Sequence, residues 1–215
     1  MTRVRISTFT AGNKSATLAK LLHSCGLTGF EPRLAASGKP YLLAANGVTA
    51  GLSITHVRSA APPFSIMAVC NLAAIGIDAE VWPKGSADAA FLASLAAFED
   101  RPFIAKALAT GRNPATLLWV LKEAALKASG EVMINPQHLT VGLSANSQIQ
   151  VLPSAAATAP LPRTMLRVFE LHTIDTQQAI VLAVAIAGIE IMKYEANLDV
   201  VCDNPNVRLT TCDWI

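Results

Sequence analysis

Hydrophobic and polar positions divide the chain into alternating strands and helically spaced segments. Residues 3–9 alternate as a strand, and over residues 15–25 Leu18, Leu21, Leu22 and Cys25 recur at helical spacing before Gly26. Residues 41–55 read as a hairpin, because Asn46-Gly47 can adopt the positive φ angles of a two-residue turn. In its second arm Val48, Ala50, Leu52 and Ile54 are expected to face a core. Thr49, Ser53 and Thr55 take the opposite, polar side, which brings Thr55 and His56 to the strand end. Residues 64–70 and 72–82 are further strands, and the second carries Asp78 and Glu80.

An alanine-rich stretch over residues 86–108 predicts one helix. Asn113-Pro114 then opens another, with a capping residue followed by proline at the first helical position, running to Ser129 and closing on Gly130. Strands follow at residues 139–143, 147–152, 165–171 and 178–187, with a proline- and alanine-rich loop over 153–162. The order is helix then antiparallel strands, twice, with the break near residues 74–76, so the expected class is α+β. No residue-by-residue repeat accompanies it.

Composition narrows the choices. Hydrophobic residues make up 52% of the 215 residues and charged residues only 15%, which describes a chain with a sizeable core. A net charge of +2 provides no broad basic surface for nucleic acid. The apolar stretches are shorter than a membrane span, and the first residues lack a secretory pattern, so a cytoplasmic protein off the membrane is expected. Cys25, Cys70, Cys202 and Cys212 stand far apart, with neither zinc-site nor disulfide-framework spacing.

The scarce charges concentrate in two segments. Asp78 and Glu80, two apart on a strand, point to one face, while Ile77, Ala79 and Val81 point to the other. Two carboxylates about 4 Å apart repel by about 4 kcal/mol at an effective dielectric near 20, so such a pair in a cleft invites a divalent cation or an arginine. The apolar residues around the pair argue for a buried setting, although spacing alone also allows a solvated one. In the second segment Trp119, Glu123 and Lys127 stand four apart along one helical face. By spacing alone Glu123 and Lys127 could equally form a surface ion pair. A third carboxylate beside the first two would complete an oxygen-rich magnesium site, and a nearby lysine could hold a phosphate oxygen.

Ile75-Gly76-Ile77-Asp78-Ala79-Glu80, followed by Trp119-Val120-Leu121-Lys122-Glu123-Ala124-Ala125-Leu126-Lys127, resembles the paired motif of 4'-phosphopantetheinyl transferases. Gly38-Lys39-Pro40 and Leu52-Ser53-Ile54-Thr55-His56 are similar to two further motifs of that family, with Thr55 where serine is usual. The likeness spans residues 38–130 and favours the surfactin-synthetase-activating type. It implies a monomer of two similar halves, residues 1–75 contacting the nucleotide of coenzyme A and 76–215 carrying the catalytic residues, with the active site at their interface. Each half would be a helix packed on a small antiparallel sheet.

The resemblance further implies transfer of the phosphopantetheine arm of coenzyme A to a serine of an apo acyl or peptidyl carrier protein, releasing adenosine 3',5'-bisphosphate. Asp78, Glu80 and Glu123 would be the magnesium ligands. Glu123 would also be the base for the serine, directly or through water, and Lys127 would steady the transferred phosphate. Lys39, Thr55 and His56 would contact coenzyme A. The chain departs from the family in having only Arg3, Arg5, Lys14, Lys20 and Arg33 as basic residues before Lys39, and Glu131 where a basic residue is common. Two alternatives stay open: a catalytically silent relative that binds coenzyme A or a carrier protein without transfer, and a metal-dependent phosphohydrolase.

Overall fold

A computed structural model describes residues 2–71, 74–83, 88–131, 135–143, 149–157, 164–173, 178–187 and 198–212. The chain opens with β1 (Thr2–Phe9) and α1 (Lys14–Ser24), then runs through β2 (Phe30–Leu34), β3 (Pro40–Ala44), β4 (Thr49–Val57) and β5 (Phe64–Cys70). Next come β6 (Ala74–Val81), α2 (Ala89–Leu95), α3 (Arg101–Ala109) and α4 (Pro114–Ser129). The remaining strands are β7 (Leu139–Leu143), β8 (Ile149–Pro153), β9 (Thr164–Thr173), β10 (Ala179–Ala187), β11 (Leu198–Cys202) and β12 (Val207–Thr211). The class is mixed α+β, with two sheets. One has the order β11-β1-β5-β4-β3-β2, the other β6-β10-β9-β8-β7 with β12 added on β9. Only the β1–β11 pairing is parallel among the described residues, so residues 198–202 return to edge a sheet otherwise drawn from residues 2–70.

Local signals explain much of this. Asn113 accepts the Thr116 amide at 3.1 Å, Pro114 fills the first turn, and Gly130 at φ 80 ends α4 where the sequence predicts. The hairpin between β3 and β4 differs by one residue. Ala44 pairs with Val48 across a three-residue loop, Asn46 accepts the Val48 amide, and Gly47 takes φ 84, the left-handed residue such a loop needs. The alanine-rich stretch is two helices, with a 3-10 turn at Phe98–Asp100 between them, and residue 86, its expected start, lies outside the described residues. The break has a cause. The fully buried Asp100 carboxylate accepts the Ala97 amide, the Val141 amide, the Thr140 hydroxyl and the Lys122 ammonium, so the chain folds around it instead of continuing as helix. Lys122, 1% exposed, spends its other donors on the Leu95 and Pro136 carbonyls.

Three clusters of buried side chains give the packing order. α1 covers one face of the first sheet through Leu21, Leu42, Leu52 and Met67. Val4, Ile6, Ile66 and Ala68 of that sheet meet Ile75, Ile77, Ile180 and Leu182 of the second. α4 packs on the second sheet's other face against Val181, Ala183 and Ala185. β10 is therefore covered on both sides, which is why its sequence is a nearly unbroken apolar run.

β6 divides its residues by the two-residue pleat: Ile75, Ile77 and Ala79 enter the core between the sheets, while Gly76, Asp78 and Glu80 turn toward α4. Gly76 sets how closely the helix approaches. A Cβ there would stand inside contact distance of the Ala124 oxygen and the Ala128 nitrogen, and 2.9 Å from the Lys127 carbonyl carbon. No other residue permits this spacing. The polar face expected for β4 is not in solvent: Ser53 and Thr55 are 4% and 3% exposed. Their hydroxyls serve β6, Ser53 accepting the Ile77 amide at 3.0 Å and Thr55 donating to Asp78 at 2.8 Å. Ser53 thus satisfies a backbone amide on the edge of β6 that no strand pairs among the described residues, and Thr55 a carboxylate that β6 carries, which is why polar residues are buried there. Val48, expected in a core, is 51% exposed beside the hairpin loop.

Candidate active site

The contact enforced by Gly76 brings the two charged segments together. β6 presents Asp78 and Glu80, and the facing side of α4 presents Glu123 and Lys127. The Lys127 ammonium donates to Asp78 Oδ1 at 2.6 Å, the oxygen that also accepts from Thr55. Asp78 is 5% exposed, and its Oδ2 is buried with no hydrogen-bond partner. Such an oxygen is costly without a donor or a cation. Ser59 donates to Glu80 Oε2 at 3.1 Å.

Electrostatics tie these groups into one cluster. Burial raises the Glu80 carboxyl above its ordinary range; the Ser59 hydrogen bond opposes this, the Asp78 charge adds to it, and Lys127 opposes it. Glu123 is likewise raised, first by burial and then by Asp78, against the pull of Lys127. Both carboxyls therefore hold protons more tightly than free glutamates, and a cation placed among them would be favoured.

Lys39 stands next door. Its ammonium donates to the Ala128 carbonyl at the C-terminal end of α4, where unsatisfied carbonyls favour a cation. Burial lowers its pKa to about 8. Gly38, Lys39, Ser53, Lys127 and Gly130 line a pocket of about 250 Å³, so two lysines edge one small cavity. On the opposite side of the carboxylates a cleft of about 860 Å³ opens beside Glu80, walled by Trp82, Phe91 and Trp119.

Lys127 and Thr55 both contact Asp78, Glu80 and Glu123 lie close enough to feel the Asp78 and Lys127 charges, and Lys39 edges the same pocket as Lys127. His56 is not in the group. Next to Thr55 on a strand it faces the other way, exposed, with Nδ1 2.7 Å from the Ser65 hydroxyl across the strand pair. Sequence reasoning missed Ser53 and Ser59 as polar partners. Ser53 stands inside the Leu52–His56 motif and could have been found there, whereas nothing marks Ser59.

For magnesium the donor set is right in kind: three carboxylates, one with an orphaned buried oxygen and two whose ionised form is disfavoured until positive charge arrives. Among the described residues no three Asp, Glu, His or Cys side chains are grouped as a ready metal site. In this arrangement Lys127 supplies the positive charge at Asp78. No helix among the described residues is long and apolar enough to cross a membrane.

Comparison of the chain with known protein families and with curated proteins finds no match to either.

Proposed function

We propose that the chain transfers the 4'-phosphopantetheine arm of coenzyme A to a serine of an apo acyl or peptidyl carrier protein. The observation that carries this is the junction of β6 and α4, where Lys127 pairs with Asp78 and its charge reaches Glu80 and Glu123, beside a pocket edged by Lys39. Residues 1–75 and 76–215 would be two similar halves with the reaction between them; the Thr55–Asp78 and Ser53–Ile77 hydrogen bonds support a junction at that place, while β11 of the second segment edges the first sheet.

In this function the serine oxygen forms a bond to the phosphorus carrying the pantetheine arm, and the pyrophosphate P–O bond breaks, releasing adenosine 3',5'-bisphosphate. Glu123 accepts the serine proton, directly or through water. Its raised pKa makes the ionised carboxylate a stronger base than an ordinary glutamate. Lys127 turns from Asp78 to the phosphate oxygens as a point charge, and Lys39 binds phosphate from the other side of the pocket. Asp78, Glu80 and Glu123 would hold magnesium, which when bound supplies charge neutralisation at the pyrophosphate. The protein would work in the cytoplasm as a monomer. His56 would contact coenzyme A only on the outer face of β4.

A second possibility, binding of coenzyme A or a carrier protein without transfer, is favoured by the closed Lys127–Asp78 pair. Mass spectrometry of the carrier protein separates the two. Wild type with coenzyme A and magnesium should add one phosphopantetheine group, and Glu123→Gln should abolish the addition. Undiminished labelling by that variant removes Glu123 from its role; coenzyme A binding without labelling by wild type selects the silent relative.

A further inference from the structure

β4 and the loop that follows it set three hydroxyls against β6. Ser53 accepts the Ile77 amide, Thr55 donates to Asp78 Oδ1, and Ser59 donates to Glu80 Oε2. Each member of the acidic pair is thus gripped by a hydroxyl that the first sheet supplies. The two grips differ. Asp78 has a further partner in the Lys127 ammonium, and both Asp78 and Thr55 are almost fully buried. Glu80 stands next to the last residue of β6, half-buried, on a side chain with one more rotatable bond than aspartate, where the cleft of about 860 Å³ opens. Ordering that longer side chain falls to Ser59.

The loop is built to hold its serine still. Val57 and Ala60, on either side of Ser59, are buried between the sheets in the cluster that contains Ile77, Ala79 and Ile180. One residue further on, the Ala61 amide donates to Gln178 Oε1 at 3.3 Å. Gln178 adjoins Ala179, whose carbonyl accepts the Trp82 amide just past the end of β6. The loop is therefore tied to the same end of β6 whose carboxylate it grips, and Ser59, itself exposed, hangs from a backbone fixed on both sides. A carboxylate is planar, so holding Oε2 also restricts the direction of Oε1.

We propose that Ser59 is a positioning residue for the candidate magnesium site, its hydroxyl holding Glu80 so that the carboxylate is ordered before a cation arrives. This rests on the magnesium site proposed above. Ser59 acts through Glu80 and touches neither the cation nor the reacting atoms, as donors behind metal-ligating carboxylates do.

Calorimetric titration of the full chain with magnesium alone, and again with coenzyme A present, tests this. Ser59→Ala should weaken magnesium binding about ten-fold, the low end of what loss of an outer partner does to a metal site, because this hydrogen bond is exposed. Transfer activity should show the same shift in its magnesium dependence and reach the wild-type kcat at saturating magnesium. Ser59→Thr keeps the hydroxyl and should restore the affinity. The metal-free melting temperature of Ser59→Ala should stay within about 2 °C of wild type, as for other surface substitutions. Gln178→Met, which removes the loop's anchor, should also weaken magnesium binding, and the double variant should bind no more weakly than Ser59→Ala, since both act through one loop. Unchanged magnesium affinity in Ser59→Ala, or a loss that Ser59→Thr does not restore, would overturn the assignment. Magnesium binding by wild type without transfer to any carrier would leave the assignment standing and remove the transfer function. No magnesium binding by wild type under either condition would overturn the magnesium site and the role of Ser59 together.

Discussion

Replacing Gly76 by alanine tests how the site is assembled. The added Cβ would overlap the Ala124 oxygen and Ala128 nitrogen and lie 2.9 Å from the Lys127 carbonyl carbon. All three are backbone atoms of α4, so no side-chain rotation relieves the overlap. With carbon contacts optimal near 3.5–4.0 Å, the tightest of these overlaps requires the helix to move off β6 by about 1.5 Å or more. Overpacking typically costs about 1–3 kcal/mol, and a clash with helix backbone belongs at or above the top of that range. At about 3 kcal/mol, a chain of this size should lose about 6–12 °C in Tm. Urea unfolding followed by circular dichroism reads the change. Gly142→Ala is the control: a Cβ there meets nothing within 4 Å, so it should stay within about 0.5 kcal/mol of wild type. The same displacement draws Lys127 from Asp78, so Gly76→Ala should also lose activity at temperatures where it remains folded. A Gly76→Ala protein as stable as the control would refute the close approach and, with it, the geometry that gathers the charges.

Further outcomes follow from individual contacts. Lys122→Met leaves the Asp100 carboxylate buried without its cation and should cost about 3–5 kcal/mol in denaturant unfolding; Lys122→Met/Asp100→Asn should recover part of that loss. Thr55→Val removes a hydroxyl donor to a buried carboxylate and should cost about 1.5–3 kcal/mol by the same assay. Glu80 and Glu123 have raised folded pKa values, so they bind protons more tightly in the folded state. Their contribution to stability is present below the ordinary value of 4.5 and is lost as pH rises through the raised values, and magnesium should lessen that loss in unfolding curves across this window. Lys39, lowered to about 8, should titrate near that pH by NMR of labelled lysines, and added coenzyme A should move its titration upward. Because the unfolded chain holds that proton up to its ordinary 10.5, Lys39 adds stability as pH rises between the two values.

What could be read from the sequence depended on how local the cause was. α4 was legible to the residue because Asn113, Pro114 and Gly130 act through their own neighbours. The facing of Asp78 and Glu80 away from Ile77 and Ala79 was legible for the same reason, since pleat depends on chain position alone. That Lys127 meets Asp78, with Glu123 near enough to feel its charge, is a long-range fact, and only the similarity of the motifs to a family suggested it. Ser53 and Thr55 were misplaced because alternation separates two faces without saying what covers the polar one; here it is the edge of β6. The Asp100–Lys122 pair left no local trace, so the break between α2 and α3 was missed with it. β11 and β12, beyond the last predicted strand, went unrecognised because each is only five residues long: Val207 and Leu209 alternate with Arg208 and Thr210, but over too short a run to stand out.

The central claim is that this chain transfers the phosphopantetheine arm, and the most direct measurement is a stoichiometric one. Coenzyme A, magnesium and a panel of apo carrier proteins are incubated with the protein, then each carrier is weighed and adenosine 3',5'-bisphosphate is quantified. Transfer predicts one phosphopantetheine gained by at least one carrier for each adenosine 3',5'-bisphosphate released. Release of phosphate or pantetheine without any gain in carrier mass, or no change in any component, would contradict it.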